Sequence, residues 1–239
     1  MPSYNIARSV RAASSMALLA FAMTAAAADA PGKQGANADP AKRGMSPRTE
    51  AVAQAALADQ IARHADRTRD VLAMIAAARL LGQVSPRTVK HDMKTEGAAK
   101  PAPSGEPYRD TTVAGMLARA KQYAGGRNDL NGVIEEVAKF VAKGREDGPA
   151  RVVSRIQGGA IDIYAVSFNG NEPAMAAITG EGLTDLDLFV EDDKGNQICR
   201  STSAVDDEIC RWTPRWNGVF RIRVRNIGNV PNEYRLWSN

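Results

Sequence analysis

The chain has 239 residues with 31 Lys and Arg against 27 Asp and Glu, a formal charge of only +4. So small an excess on so long a chain gives no ground for a nucleic-acid or other polyanion-binding surface spread over the molecule. Two cysteines and two histidines are too few for a zinc cluster or a disulfide-dense scaffold.

The first stretch, "MPSYNIARSVRAASSMALLAFAMTAAAADA", carries Arg8 and Arg11, then an apolar run, then small residues before Asp29. This pattern predicts a secretory signal peptide over 1–28, cleaved after Ala28 or Ala30. Its loss would lower the formal charge to +2. No later stretch is apolar enough to span a bilayer, so an exported chain, periplasmic or secreted, is expected. Residues 29–46, rich in Gly, Pro, Ala and charge, read as a flexible linker.

From Ser46 the pattern becomes helical. Ser46 and Pro47 make a cap and a first helical residue. Val52, Ala56, Leu57 and Ile61 then recur at helical spacing, and Val71, Met74, Ile75, Ala78 and Leu81 do so again. Asp66, Thr68 and Asp70 are candidate caps between the two helices, and Gly82 with Pro86 ends the pair. Residues 85–109 read as a Pro/Ala-rich loop. A second pair of helices is expected near 110–124 and 129–144, with Val133, Ile134, Val137 and Phe140 repeating the earlier stripe. The whole of 47–145 is predicted to be a small helical domain.

After Gly144 the helical period disappears. "RVVSRI", "IDIYAVSF", "PAMAAI", "DLDLFVE", "NQICRS", "EICRWT", "VFRIRVRN" and "EYRLW" are short β-forming runs, most of them parted by turn residues. About eight strands with no helix between them predict an antiparallel β-sandwich over 150–239. The fold class is therefore α+β in separate regions, helical hairpins followed by the sandwich.

Within the strands, Leu186, Leu188 and Val190 share one face, with Asp185, Asp187 and Phe189 on the other. Phe220, Ile222 and Val224 likewise oppose Arg221, Arg223 and Arg225. If these strands are neighbours, the acidic and basic rows pair across them. Calcium is the candidate cofactor, because Asp185, Asp187, Asp192, Asp193 and Asn196 offer hard oxygen ligands near a strand end. A hairpin turn explains Asp192 to Asn196 equally well. Cys199 and Cys210 are expected to form a disulfide in an oxidising compartment. Trp212, Trp216 and Trp237 fall within the last 28 residues, interleaved with arginines. They are core residues or an aromatic platform, which with Arg221 and Arg223 would bind a ligand. No GxSxG, HExxH, CxxC or phosphate loop occurs, so no catalytic residues are assigned.

The run from Thr184 to Trp237 resembles the bacterial pre-peptidase C-terminal domain. The resemblance rests on Asp185-Leu186-Asp187-Leu188, the Asp193 to Asn196 turn, Ser201 to Ser203, Glu208 to Pro214, Gly218 to Val224 and Tyr234 to Leu236. It covers about 155–239 and implies a jelly-roll-like sandwich of the kind appended to exported proteases. Some relatives bind calcium, and others bind collagen or other polymers. No protease region precedes it here, and the Cys pair is not a family requirement. The expected role is non-catalytic binding of an envelope or extracellular polymer or protein. The alternatives are a calcium-stabilised structural module with the helices as partner surface, and a hydrolase or hydrolase inhibitor.

Overall fold

The computed structural model describes residues 33–97, 109–141 and 148–239. The expected signal peptide lies outside them. So do much of the Pro/Ala-rich loop and the end of the fourth expected helix.

Helix α1 spans Pro47–Thr68. The Ser46 side chain accepts from the Thr49 N–H, and the Thr49 hydroxyl accepts from the Ser46 N–H, a reciprocal cap that uses two otherwise orphaned donors. Arg69 closes the helix in the left-handed region at φ 54°. Asp70 then caps α2, Val71–Val84, by accepting from the Ala73 N–H at 3.0 Å. Of the three candidate caps, Asp70 is the one used. Thr112 caps α3, Val113–Ala124, and α4 runs Asn128–Val141. The buried face of α1 is Val52, Ala55, Ala56, Ala58, Ala62 and Ala65, small residues that let backbones approach closely. Leu57 is not on it and stands 48% exposed. The repeated stripe on α4 is also only half buried, with Ile134 and Val137 inside but Val133 and Phe140 exposed.

All eight expected strands form, as β3 Ala150–Ile156, β4 Ile161–Phe168, β5 Ala174–Gly180, β6 Leu186–Glu191, β7 Gln197–Ser201, β8 Asp207–Trp212, β9 Gly218–Asn226 and β10 Asn232–Ser238. Two more, β1 Arg87–Thr88 and β2 Met93–Glu96, come from the stretch expected to be loop. The first sheet has the order β1-β3-β10-β5-β8 and the second β2-β4-β9-β6-β7. Every pairing is antiparallel except β1 with β3. Strand β2 escaped recognition because its docking is set by a distant partner: the Thr95 hydroxyl donates to Asp162 Oδ1 at 2.6 Å.

The sheets enclose one core, in which Leu186, Leu188, Val190, Phe220, Ile222 and Val224 from the second sheet meet Ile156, Ile178, Tyr234 and Leu236 from the first. Cys199 on β7 and Cys210 on β8 form the disulfide, joining the edge strands of opposite sheets. A second core lies on the outer face of the first sheet. There Met175, Ala177 and Trp237 join the buried faces of the helices. The helices therefore share a core with the sandwich.

Of the linker expected over 29–46, residues 33–46 are described, and around Asn37 they depart from that expectation. Asn37 is buried, and its Oδ1 accepts from the Arg215 and Trp216 N–H groups at 2.9 and 3.0 Å. Its Nδ2 donates to the Trp216 carbonyl, and the Asp39 N–H donates to that of Thr213 at 2.9 Å. Composition alone suggests a loose chain here, but one buried amide with several partners fixes it to the sandwich.

Candidate functional site

With helices over the first sheet, the outer face of the second is the broad surface they leave uncovered. Strand register aligns Lys94, Ile163, Arg223, Phe189 and Arg200 in one row across all five strands. Glu96, Ile161, Arg225 and Asp187 form the next row, and Ala165, Arg221 and Glu191 the row on the other side. The strands carrying the acidic and basic rows, β6 and β9, are neighbours. Arg223 Nη1 lies 2.8 Å from Glu191 Oε1, a diagonal cross-strand pair. Five cations and three acids thus surround Ile161, Ile163 and Phe189, all half-buried.

The predicted metal ligands do not converge. Asp192 is buried and takes four donors: the Lys194 and Asn196 N–H groups on Oδ1, and the Asn37 N–H and Asn196 Nδ2 on Oδ2, at 2.8–3.0 Å. Burial pushes its carboxyl up, but these hydrogen bonds overcome that and hold it below the usual carboxylate range. Asp192 and Asn196 are thereby accounted for as a turn, with Gly195 at φ 82°. Asp193 is exposed beside them. Burial and then acidic neighbours, chiefly Glu208 for Asp185 and Asp185 for Asp187, raise the carboxyls of those two. Glu208 is itself bound by the Ser201 and Ser203 hydroxyls and the Ser203 N–H. Among the described residues no group of three or more His, Cys, Asp or Glu side chains could hold a metal ion.

The three tryptophans do not form a platform. Trp212 is buried in the sandwich, with its ring centroid 4.8 Å from that of Phe168 and 5.4 Å from that of Phe220. Trp237 is fully buried beneath the helices, with the Arg151 guanidinium 5.9 Å over its ring. Trp216 is half-buried where the Asn37 segment docks. A strand position opposite a covering helix is buried on both sides of the sheet, and nothing in the local alternation reveals that.

The seam between α1 and the first sheet is polar at its centre. Asp59 Oδ2 accepts from Trp237 Nε1 at 2.8 Å and the Thr179 hydroxyl at 3.0 Å, with Arg235 Nε 3.5 Å away. One turn on, Arg63 donates to the Gly180 carbonyl and to Asp206 and Asp207. Burial alone would lower the Arg63 pKa, but Asp207 and Asp206 raise it. Gly180 is required here, because a Cβ would lie 2.2 Å from Asp206 Oδ2. Two turns beyond Asp59, Asp66 takes Arg119, Arg109 and the Tyr123 hydroxyl at 2.8–2.9 Å.

Of these side chains Asp59, Arg63, Asp66, Arg109, Arg119 and Arg235 line a cleft of about 250 Å³ between α1, α3 and the β5–β6 loop. None of its residues was a predicted site residue. The available signal was an acid, Asp59, on the alanine stripe of α1 with Arg63 and Asp66 at helical spacing from it. His64 is exposed and is not part of the lining.

No family model matches the sequence, and no curated protein matches it. Among solved structures, the chain is similar to the pre-peptidase C-terminal domain of a collagenase from Bacillus anthracis. Identity is 13%, coverage 38% of this chain and 89% of that one, and the TM-score 0.32. It is also similar to PliG, a periplasmic inhibitor of g-type lysozyme from Aeromonas hydrophila, at 13% identity, 38% and 86% coverage and a TM-score of 0.29. A Yersinia pseudotuberculosis-derived mitogen matches at 16% identity, 38% and 85% coverage and a TM-score of 0.28. The first of these carries the same domain name as the resemblance drawn from the sequence.

Proposed function

We propose that this is an exported, non-catalytic binding protein, and that the outer face of its second sheet takes an anionic polymer of the envelope or extracellular space. The observation that carries the reading is the row Lys94, Ile163, Arg223, Phe189 and Arg200, in which cations alternate with apolar side chains. Arg221 and Arg225 flank it. Strands about 4.8 Å apart make this row roughly 20 Å long, which suits an extended polymer better than a small molecule. Cations set the attraction, and the apolar positions between them offer contact to the polymer backbone. Export is supported by the Arg8/Arg11 leader pattern and by the Cys199–Cys210 bridge, which belongs in an oxidising compartment.

Affinity electrophoresis of the full chain through gels containing polyglutamate or neutral dextran tests this reading. Retardation by polyglutamate alone is expected, weakening as salt rises and lost in the double variant Arg221→Gln/Arg225→Gln. Equal mobility in both gels would refute it.

A further inference from the structure

One stripe of α1 faces away from the sandwich, and Leu57 stands 48% exposed at its centre. Glu50 and His64, one heptad before and after Leu57, are exposed on the same stripe. Ala53 and Ile61 lie four residues either side of Leu57, Gln54 and Gln60 three, and all four are half-buried. Helix α2 runs antiparallel along one flank. The Gln54 Nε2 donates to the Leu80 carbonyl at 2.8 Å, and the Asp70 N–H donates to that of Ala65 at 3.1 Å. On α2, Leu72 at 63% exposure and Ala76 add to the apolar surface of the hairpin.

We propose that this stripe of α1 docks on the same stripe of a second copy of the chain, making an antiparallel two-fold dimer. The order of residues about Leu57 carries the inference. Counting outwards, there are amides at three residues, a small and a large apolar side chain at four, and an acid and a base at seven. A dyad at Leu57 therefore sets Leu57 beside its own copy, Ala53 level with Ile61, and Glu50 level with His64. Each of these last two contacts occurs twice, because a two-fold interface repeats every pairing. Ile61 fills the room that Ala53 leaves, and acid meets base. A parallel copy would instead set Glu50 against Glu50 and His64 against His64. From Glu50 to His64 the stripe is about 21 Å long at 1.5 Å per residue. One helix pair of that length makes a small interface, so the dimer forms only at raised concentration. The stripe is separate from the outer face of the second sheet and does not depend on that reading.

Sedimentation equilibrium of the full chain over a range of concentrations tests the proposal. A monomer–dimer equilibrium is expected for the wild type. Leu57→Asp, a change at an exposed position, should leave only monomer with an unchanged melting temperature. Glu50→Lys should weaken the dimer on the order of tenfold, since it turns two favourable charge contacts into repulsive ones. Glu50→Lys/His64→Glu restores opposite charges across the dyad and should bring the dimer back. A wild-type chain that stays monomeric throughout would overturn the proposal and leave the stripe to a different protein. A dimer that survives Leu57→Asp, or a double variant as weak as Glu50→Lys, would overturn it as well.

Discussion

Asp59 shows how one side chain can hold two structural layers together. It is buried and serves Trp237, Thr179 and Arg235 at once. Asp59→Ala strands the indole N–H and the hydroxyl, and it leaves a buried guanidinium without its anion. A loss of about 3–5 kcal/mol is expected, read as a lower urea midpoint. Asp192 makes a prediction about pH. Its folded pKa is lowered, so its contribution is present above the unfolded value near 3.9 and is lost as pH falls through the folded value. Asp187 has the opposite sign, being raised by burial and Asp185, so its ionisation erodes stability as pH climbs from the unfolded value through the folded one. Melting curves between pH 2 and 7 should show Asp192→Asn flattening the acid limb. Asp187→Asn should remove part of the opposing slope. A variant pair with wild-type pH profiles would contradict both assignments.

At the scale of elements, the disulfide joins edge strands β7 and β8, a closure 11 residues apart in sequence. In the chain-entropy view it stabilises by about 3 kcal/mol, so a Cys199→Ser/Cys210→Ser variant should melt roughly 6–12 °C lower in differential scanning calorimetry. The eight strands β3 to β10 were legible because short β-forming runs parted by turn residues are a local signal, and so were the caps at Ser46 and Asp70, which act over three residues. Strand β1, with two residues, and β2, whose four residues are all exposed, carry no such pattern. They exist because the first sheet's edge and Asp162 receive them. The Asn37 segment is the same case, since its partners lie about 180 residues away. The site was less legible than the fold. Arg221 and Arg223 were visible as an outward ladder, but the cleft arginines come from α1, α3, the segment before α3 and β10, and converge only after the layers dock.

At the scale of the whole molecule, the question is whether the sandwich is an independent unit with helices appended. The register places Arg151, Trp237, Ala177 and Ile209 in one row across the outer face of the first sheet. Met175, Ala177 and Trp237 are wholly buried there, although only the helices lie over them. Removing the helices would return that apolar row to water at roughly 25 cal/mol per Å². It would also strip Asp59 from Trp237 and Arg235, and Arg63 from Asp206 and Asp207. A fragment of 148–239 lacks β1, β2 and the Asn37 segment as well, so both sheets lose an edge strand and Asp192 loses one of its four donors. Such a fragment should bind a hydrophobic dye, self-associate and melt well below the full chain, even with its disulfide intact. Chromatography coupled to light scattering, with dye fluorescence, would check this. A monomeric, dye-silent fragment with the full chain's melting temperature would mean that the helices are an accessory. The shared core argues instead that this sandwich is completed by its helices.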